Sequence, residues 1–130
     1  MNRFFPTIIR ALLIGAMLMS TCSAENFQFV DAEGNTGYYV DMDSVEDESR
    51  NVIFARIAVK KAGANRMFVY DVRFNHAEKA YQIISSQTIE YETQNVLESK
   101  DEPRDFRAYA PNSEMSELLR FIMDGGDLLD

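Results

Sequence analysis

Residues 51–75 contain two segments in which apolar and polar side chains alternate at every second position, separated by Ala62-Gly63-Ala64-Asn65. A period of two is the period of a strand, and two such segments around a Gly-containing turn predict an antiparallel hairpin. If Lys61 lies opposite Arg66, then Val59 meets Phe68, Ile57 meets Tyr70, Ala55 meets Val72 and Ile53 meets Phe74, which makes one face wholly apolar. The other face pairs Ala58 with Val69, Arg56 with Asp71 and Phe54 with Arg73, predicting a cross-strand ion pair and a cation–π contact. A slip of one residue would turn arginine and aspartate into the core, so this register constrains the fold more than any other feature of the chain.

Further strands are predicted on both sides. Phe27 to Ala32 and Thr36 to Val40 flank Glu33-Gly34-Asn35, a turn with Gly34 or Asn35 at positive φ. After a turn at His76-Ala77-Glu78, a long strand from Lys79 to Glu92 carries Tyr81, Ile83, Ile89 and Tyr91 in steps of two. Ser85 and Gln87 interrupt that apolar run, which predicts a bulge or a departure from the core. Asn95 to Ser99 is a candidate short strand, followed by the charged loop Lys100-Asp101-Glu102-Pro103. The last element is a helix opened by Asn112 or Ser113, with Glu114 and Glu117 near its positive end. Met115, Leu118, Leu119 and Ile122 form one apolar stripe on it, and Gly125-Gly126 ends it. The expected class is therefore α+β, an antiparallel sheet of about five to six strands with one carboxy-terminal helix packed on it.

The amino end reads as an export signal: basic Arg3 and Arg10, the apolar run Ala11 to Met19, then Ser20-Thr21-Cys22-Ser23-Ala24. The run is shorter than the ~20 residues of a membrane helix. Cleavage after Ala24 divides the chain into a signal peptide, 1–24, and one domain, 25–130, with no membrane span in the mature chain. The alternative is a lipoprotein signal in which Cys22 carries lipid, although Thr21 is bulky for the position before such a cysteine. Cleavage after Ala24 removes the single cysteine, so no disulfide supports the domain.

Charge excludes some functions. The first 24 residues hold two basic residues and no acidic one, so their removal deepens the net charge from −8 to −10. Such a chain repels a phosphate backbone, and no nucleic-acid partner is expected. Residues 50–79 nevertheless form a basic island of seven cations against Asp71 and Glu78.

No catalytic or cofactor pattern emerges. His76 is the only histidine and falls in a turn without the companions of a relay, a zinc site or a haem ligand set. Asp41, Asp43, Glu46, Asp47 and Glu48 lack calcium-loop spacing and read as a solvated loop. No Gly-x-Ser-x-Gly occurs, and carboxylate pairs for glycoside hydrolysis cannot be identified without a cleft. The domain is expected to be non-enzymatic, with no cofactor and no metal. The polar face of the central hairpin is the candidate partner-binding site, with Phe54, Arg56, Lys60, Met67 and Arg73 mixing aromatic, Met and basic residues as interfaces do. Its occupant would be a protein partner or a second copy of the chain, unless another element of the same chain covers it.

The stretch Tyr38-Tyr39-Val40-Asp41-Met42-Asp43-Ser44-Val45, the Tyr81-Gln82-Ile83 strand and Phe106-Arg107-Ala108-Tyr109-Ala110-Pro111-Asn112-Ser113 before the closing helix resemble the surface-adhesin protein E family of bacterial exported proteins. The likeness runs from about Phe27 to Met123. It implies a small antiparallel sheet with a carboxy-terminal helix, and Asp43 and Ser44 hydrogen-bonding a turn backbone. Asn75 and Met123 stand where relatives often carry cysteines, and Phe106 where they often carry tryptophan. The resemblance also implies attachment to host proteins, and the export signal implies a domain of the periplasm, the cell surface or the secreted fraction. The other expectation is an envelope protein of structural or small-ligand role, haem included.

Overall fold

A computed structural model describes residues 26–126. The 1–24 signal segment with Cys22 lies outside the described residues. The domain is α+β. Its strands are β1 (Phe27–Glu33), β2 (Thr36–Ser49), β3 (Val52–Lys61), β4 (Arg66–Asn75), β5 (Ala80–Glu90), β6 (Val96–Lys100) and β7 (Arg107–Ala108), and its helix is α1 (Glu114–Met123). β1 to β6 form an antiparallel meander in chain order, and the two-residue β7 joins β5 at Ala80 and Tyr81.

The central hairpin adopts the register that alternation requires, from Lys61 opposite Arg66 to Ile53 opposite Phe74. Its connection is a 3-10 turn, Ala62–Ala64, closed by Asn65 at φ 55°. β1 and β2 meet through a two-residue turn in which Gly34 has φ 61°, a backbone that strains any side-chain-bearing residue.

β2 is longer than its composition suggests. The acidic stretch expected to be a solvated loop continues as strand to Ser49, interrupted between Asp41 and Glu46 where the register against β3 shifts. Its acids do not oppose this, since Glu46 to Ser49 are exposed and β3 supplies the hydrogen-bond partners. Within the bulge, Ser44 Oγ accepts the Arg56 N–H at 2.8 Å and donates to the Asp41 carbonyl at 2.6 Å. Asp41 Oδ1, rather than Asp43, accepts the neighbouring backbone N–H at 3.1 Å.

The interruption expected in β5 is a bulge at Ile84. Ile83 faces Val72 and Ser85 faces Asp71, so Ile84 is extra and the facing of later residues inverts. Tyr81 and Ile83 therefore pack against the core on the helix-bearing face, while Ile89, expected on the same face, joins a cluster on the opposite one.

The main core lies between sheet and helix: Val40, Ile53, Ala55, Ile57, Val72 and Phe74 below, Leu118, Leu119 and Ile122 above. The helix stripe sits over β1 and β2, where Gly126 lies so close to Met42 and Gln28 that an added Cβ would stand 3.2 Å from both side chains. Ser113 caps the helix, its Oγ accepting the Ser116 N–H at 3.3 Å. At the other end Gly126 N–H reaches the Phe121 carbonyl and Gly125 N–H the Ile122 carbonyl, a Schellman closure with both glycines at positive φ.

Candidate functional site

The sheet face opposite the helix collects every described residue that the sequence nominates. Antiparallel pairing arranges them in rows across the strands: Phe54 beside Arg73, Arg56 beside Asp71, and Lys60 beside Met67. The neighbouring strands extend these rows with Asp41 and Phe27 next to Arg56, Tyr39 and Phe29 next to Ala58, and Ile89 next to Met67.

Part of this face is a second, smaller core. Ala58, Val69 and Ile89 are buried, with Phe27, Tyr39 and Met67 packed around them. Tyr39 lies over Gly37, where an added Cβ would stand 3.1 Å from its ring, and meets Phe29 edge-on at 5.7 Å between centroids. Met67 thus contributes more to packing than to the accessible surface. Phe29, 56% exposed, and Val96, 49% exposed, remain open at the two sides of the sheet. The aromatic members Phe29 and Tyr39 were missed in the sequence; their signal was the two-residue spacing on either side of Gly34.

The cations of this face have partners. Arg56 binds Asp71 in a fork, Nε to Oδ1 at 2.7 Å and Nη2 to Oδ2 at 3.2 Å, and Ser85 Oγ donates to the same carboxylate at 3.0 Å. The anticipated cation–π contact of Arg73 with Phe54 gives way to a stronger acceptor: Arg73 Nε donates to Glu48 Oε1 at 2.6 Å and Nη1 to Gln82 Oε1 at 3.1 Å. Only the unexpected extension of β2 brings Glu48 there. Lys60 supplies the cation–π contact instead, its Nζ 3.8 Å from the centroid of the Tyr91 ring. Two of the seven cations of the basic island, Arg56 and Arg73, are thus paired with carboxylates on this face, while Lys60 rests on an aromatic ring.

Three phenols are perturbed, all around the helix side. Tyr38 is raised above the ordinary 10.0, by burial first and then by Glu114, Glu33 and Asp31. Burial likewise raises Tyr70, against an opposing effect of Arg104, and raises Tyr109. Among the described residues no group of three or more His, Cys, Asp or Glu is placed to hold a metal ion. Nor is any described helix long and apolar enough to cross a membrane. Comparison with protein-family models, with curated proteins and with solved structures finds no match.

Proposed function

We propose that this chain is an exported, non-enzymatic binding domain, adhesin-like in kind, that engages a protein partner through the outer face of its sheet. The observation that carries the reading is the composition of that face: Phe29, Tyr39, Phe54 and Val96 stand among cations that already have partners. Aromatic, Met and Arg side chains are enriched in protein interfaces, and the carboxylate partners of Arg56 and Arg73 fix those two side chains on the face. The export signal read at residues 1–24 and the resemblance to the surface-adhesin protein E family supply the setting, periplasm or cell surface.

Arg56 and Arg73 are poor probes of this face, because their substitution would also strand Asp71 and Glu48. Phe29→Asp and Lys60→Glu alter exposed or rim positions instead. Binding to immobilised extracellular proteins by interferometry, with sedimentation velocity to detect self-association, should show a loss of about tenfold or more in the double variant, as for a hot-spot contact. Binding and mass distribution unchanged in a folded double variant would rule the face out.

A further inference from the structure

On the helix-bearing side of the sheet, a shallow cleft of about 150 Å³ is lined by Tyr81, Ile83, Arg104, Asp105 and Arg107. Its wall is held by the backbone. Arg104 N–H donates to the Ile83 carbonyl at 2.9 Å, the Gln82 side-chain amide donates to the Arg104 carbonyl at 3.0 Å, and Arg107 pairs with Tyr81 in the β5–β7 ladder. The Arg104 guanidinium is near enough to Tyr70 to act on its phenol.

The chain has 21 acidic residues against 13 basic ones, and Arg56, Arg73 and Arg120 each contact a carboxylate at 3.1 Å or less. Arg104 and Arg107, like Arg50 and Arg66, have no such partner among the described residues, and of these four only Arg104 and Arg107 line a common cleft, with Asp105 between them. Two guanidiniums beside an aromatic floor, on a segment whose backbone is held at both ends, present planar N–H forks to the cleft. Such forks match the paired oxygens of a carboxylate or phosphate.

We propose that this cleft binds the oxyanion group of a small ligand, a carboxylate or a phosphate, between Arg104 and Arg107. Asp105 leaves the cleft with a net charge of +1 and favours a ligand that carries a hydroxyl or ammonium beside the oxyanion. The site is on the opposite side of the sheet from the proposed protein-binding face, and neither depends on the other.

The test is an NMR titration of the purified protein at constant ionic strength, with inorganic phosphate and acetate in separate arms and chloride as control. The expected result is saturable shifts at the amides of Ile83, Arg104, Asp105 and Arg107, absent with chloride. They should be lost in Arg104→Gln and Arg107→Gln, unchanged in Arg120→Gln, and saturate at several-fold lower phosphate in Asp105→Asn. The arm that saturates at lower concentration identifies the oxyanion. Shifts that grow linearly in both arms, match those of chloride, or persist in both arginine variants would overturn the proposal. All three substituted cleft residues are exposed, so the variants are expected to fold.

Discussion

The hydroxyl of Ser44 stands 2.8 Å from the backbone nitrogen of Arg56 and takes the place of a strand carbonyl in the β2–β3 ladder. It also donates to the Asp41 carbonyl at 2.6 Å, so one side chain satisfies two backbone groups at the point where the pairing shifts. This relationship links the outer face to the core. Arg56, which holds Asp71 on the surface, is kept in register by a residue of the bulge.

Ser44→Ala leaves the Arg56 N–H without that acceptor in a partly buried setting, and should cost about 1–3 kcal/mol. Ser44→Thr keeps the oxygen and should recover most of the loss. Thermal unfolding followed by circular dichroism checks both, with a fall in melting temperature of about 4–8 °C for each kcal/mol in a domain this size. An alanine variant as stable as the parent would show that the bulge does not rely on this hydroxyl.

Ile84 is the extra residue of β5, and the pairs on either side of it are regular. Its deletion should therefore keep Ile83 opposite Val72, Ser85 opposite Asp71 and Ile89 on the outer face, at a cost of about 1 kcal/mol, that of an ordinary substitution. Deletion of Ala58 is the contrast. The β3–β4 pair has no bulge to absorb it, so one end of β3 would present its polar face to the core and cooperative unfolding should disappear. Denaturant melts of the two deletions, compared side by side, decide whether the bulge sets the facing of β5.

Alkaline pH should destabilise the domain through its phenols. Tyr38, Tyr70 and Tyr109 are all raised above 10.0, with burial the largest cause in each. A raised folded value means that the native state holds the proton more tightly than the unfolded chain. The stabilisation is full below pH 10 and is lost as pH rises through the folded values. Phenolate absorbance near 295 nm should rise later in the folded protein than in the urea-unfolded chain, and Tyr70→Phe should reduce the loss of stability with rising pH. Three phenols titrating at 10.0 in a still-folded protein would contradict this.

How far the fold was legible depended on whether neighbours in sequence carried the signal. The hairpin from Ile53 to Phe74 was readable residue by residue because both partners alternate and only one register buries the apolar set. The helix was readable from Ser113, the stripe through Ile122 and the paired glycines, since capping and periodicity are local. Even the β5 bulge left a trace in Ser85 and Gln87. The strand character of Glu46 to Ser49 left none, because an acidic run looks solvated until a partner strand is beside it. For the same reason Glu48 could not be foreseen as the partner of Arg73, 25 residues away.

The sequence by itself determined the class, the central register, the helix and its face, because burial of alternating or periodic apolar side chains leaves few solutions. Tertiary structure alone decided the partners of Arg73 and Lys60, which are Glu48 and the Tyr91 ring, whereas the Arg56–Asp71 pair already follows from the hairpin register. It also decided that Arg104 and Arg107 share a cleft with Tyr81, through a two-residue strand too short to mark itself in sequence. Electrostatic contacts depend on distances of a few ångströms between segments far apart in the chain, and those distances exist only after the sheet has closed.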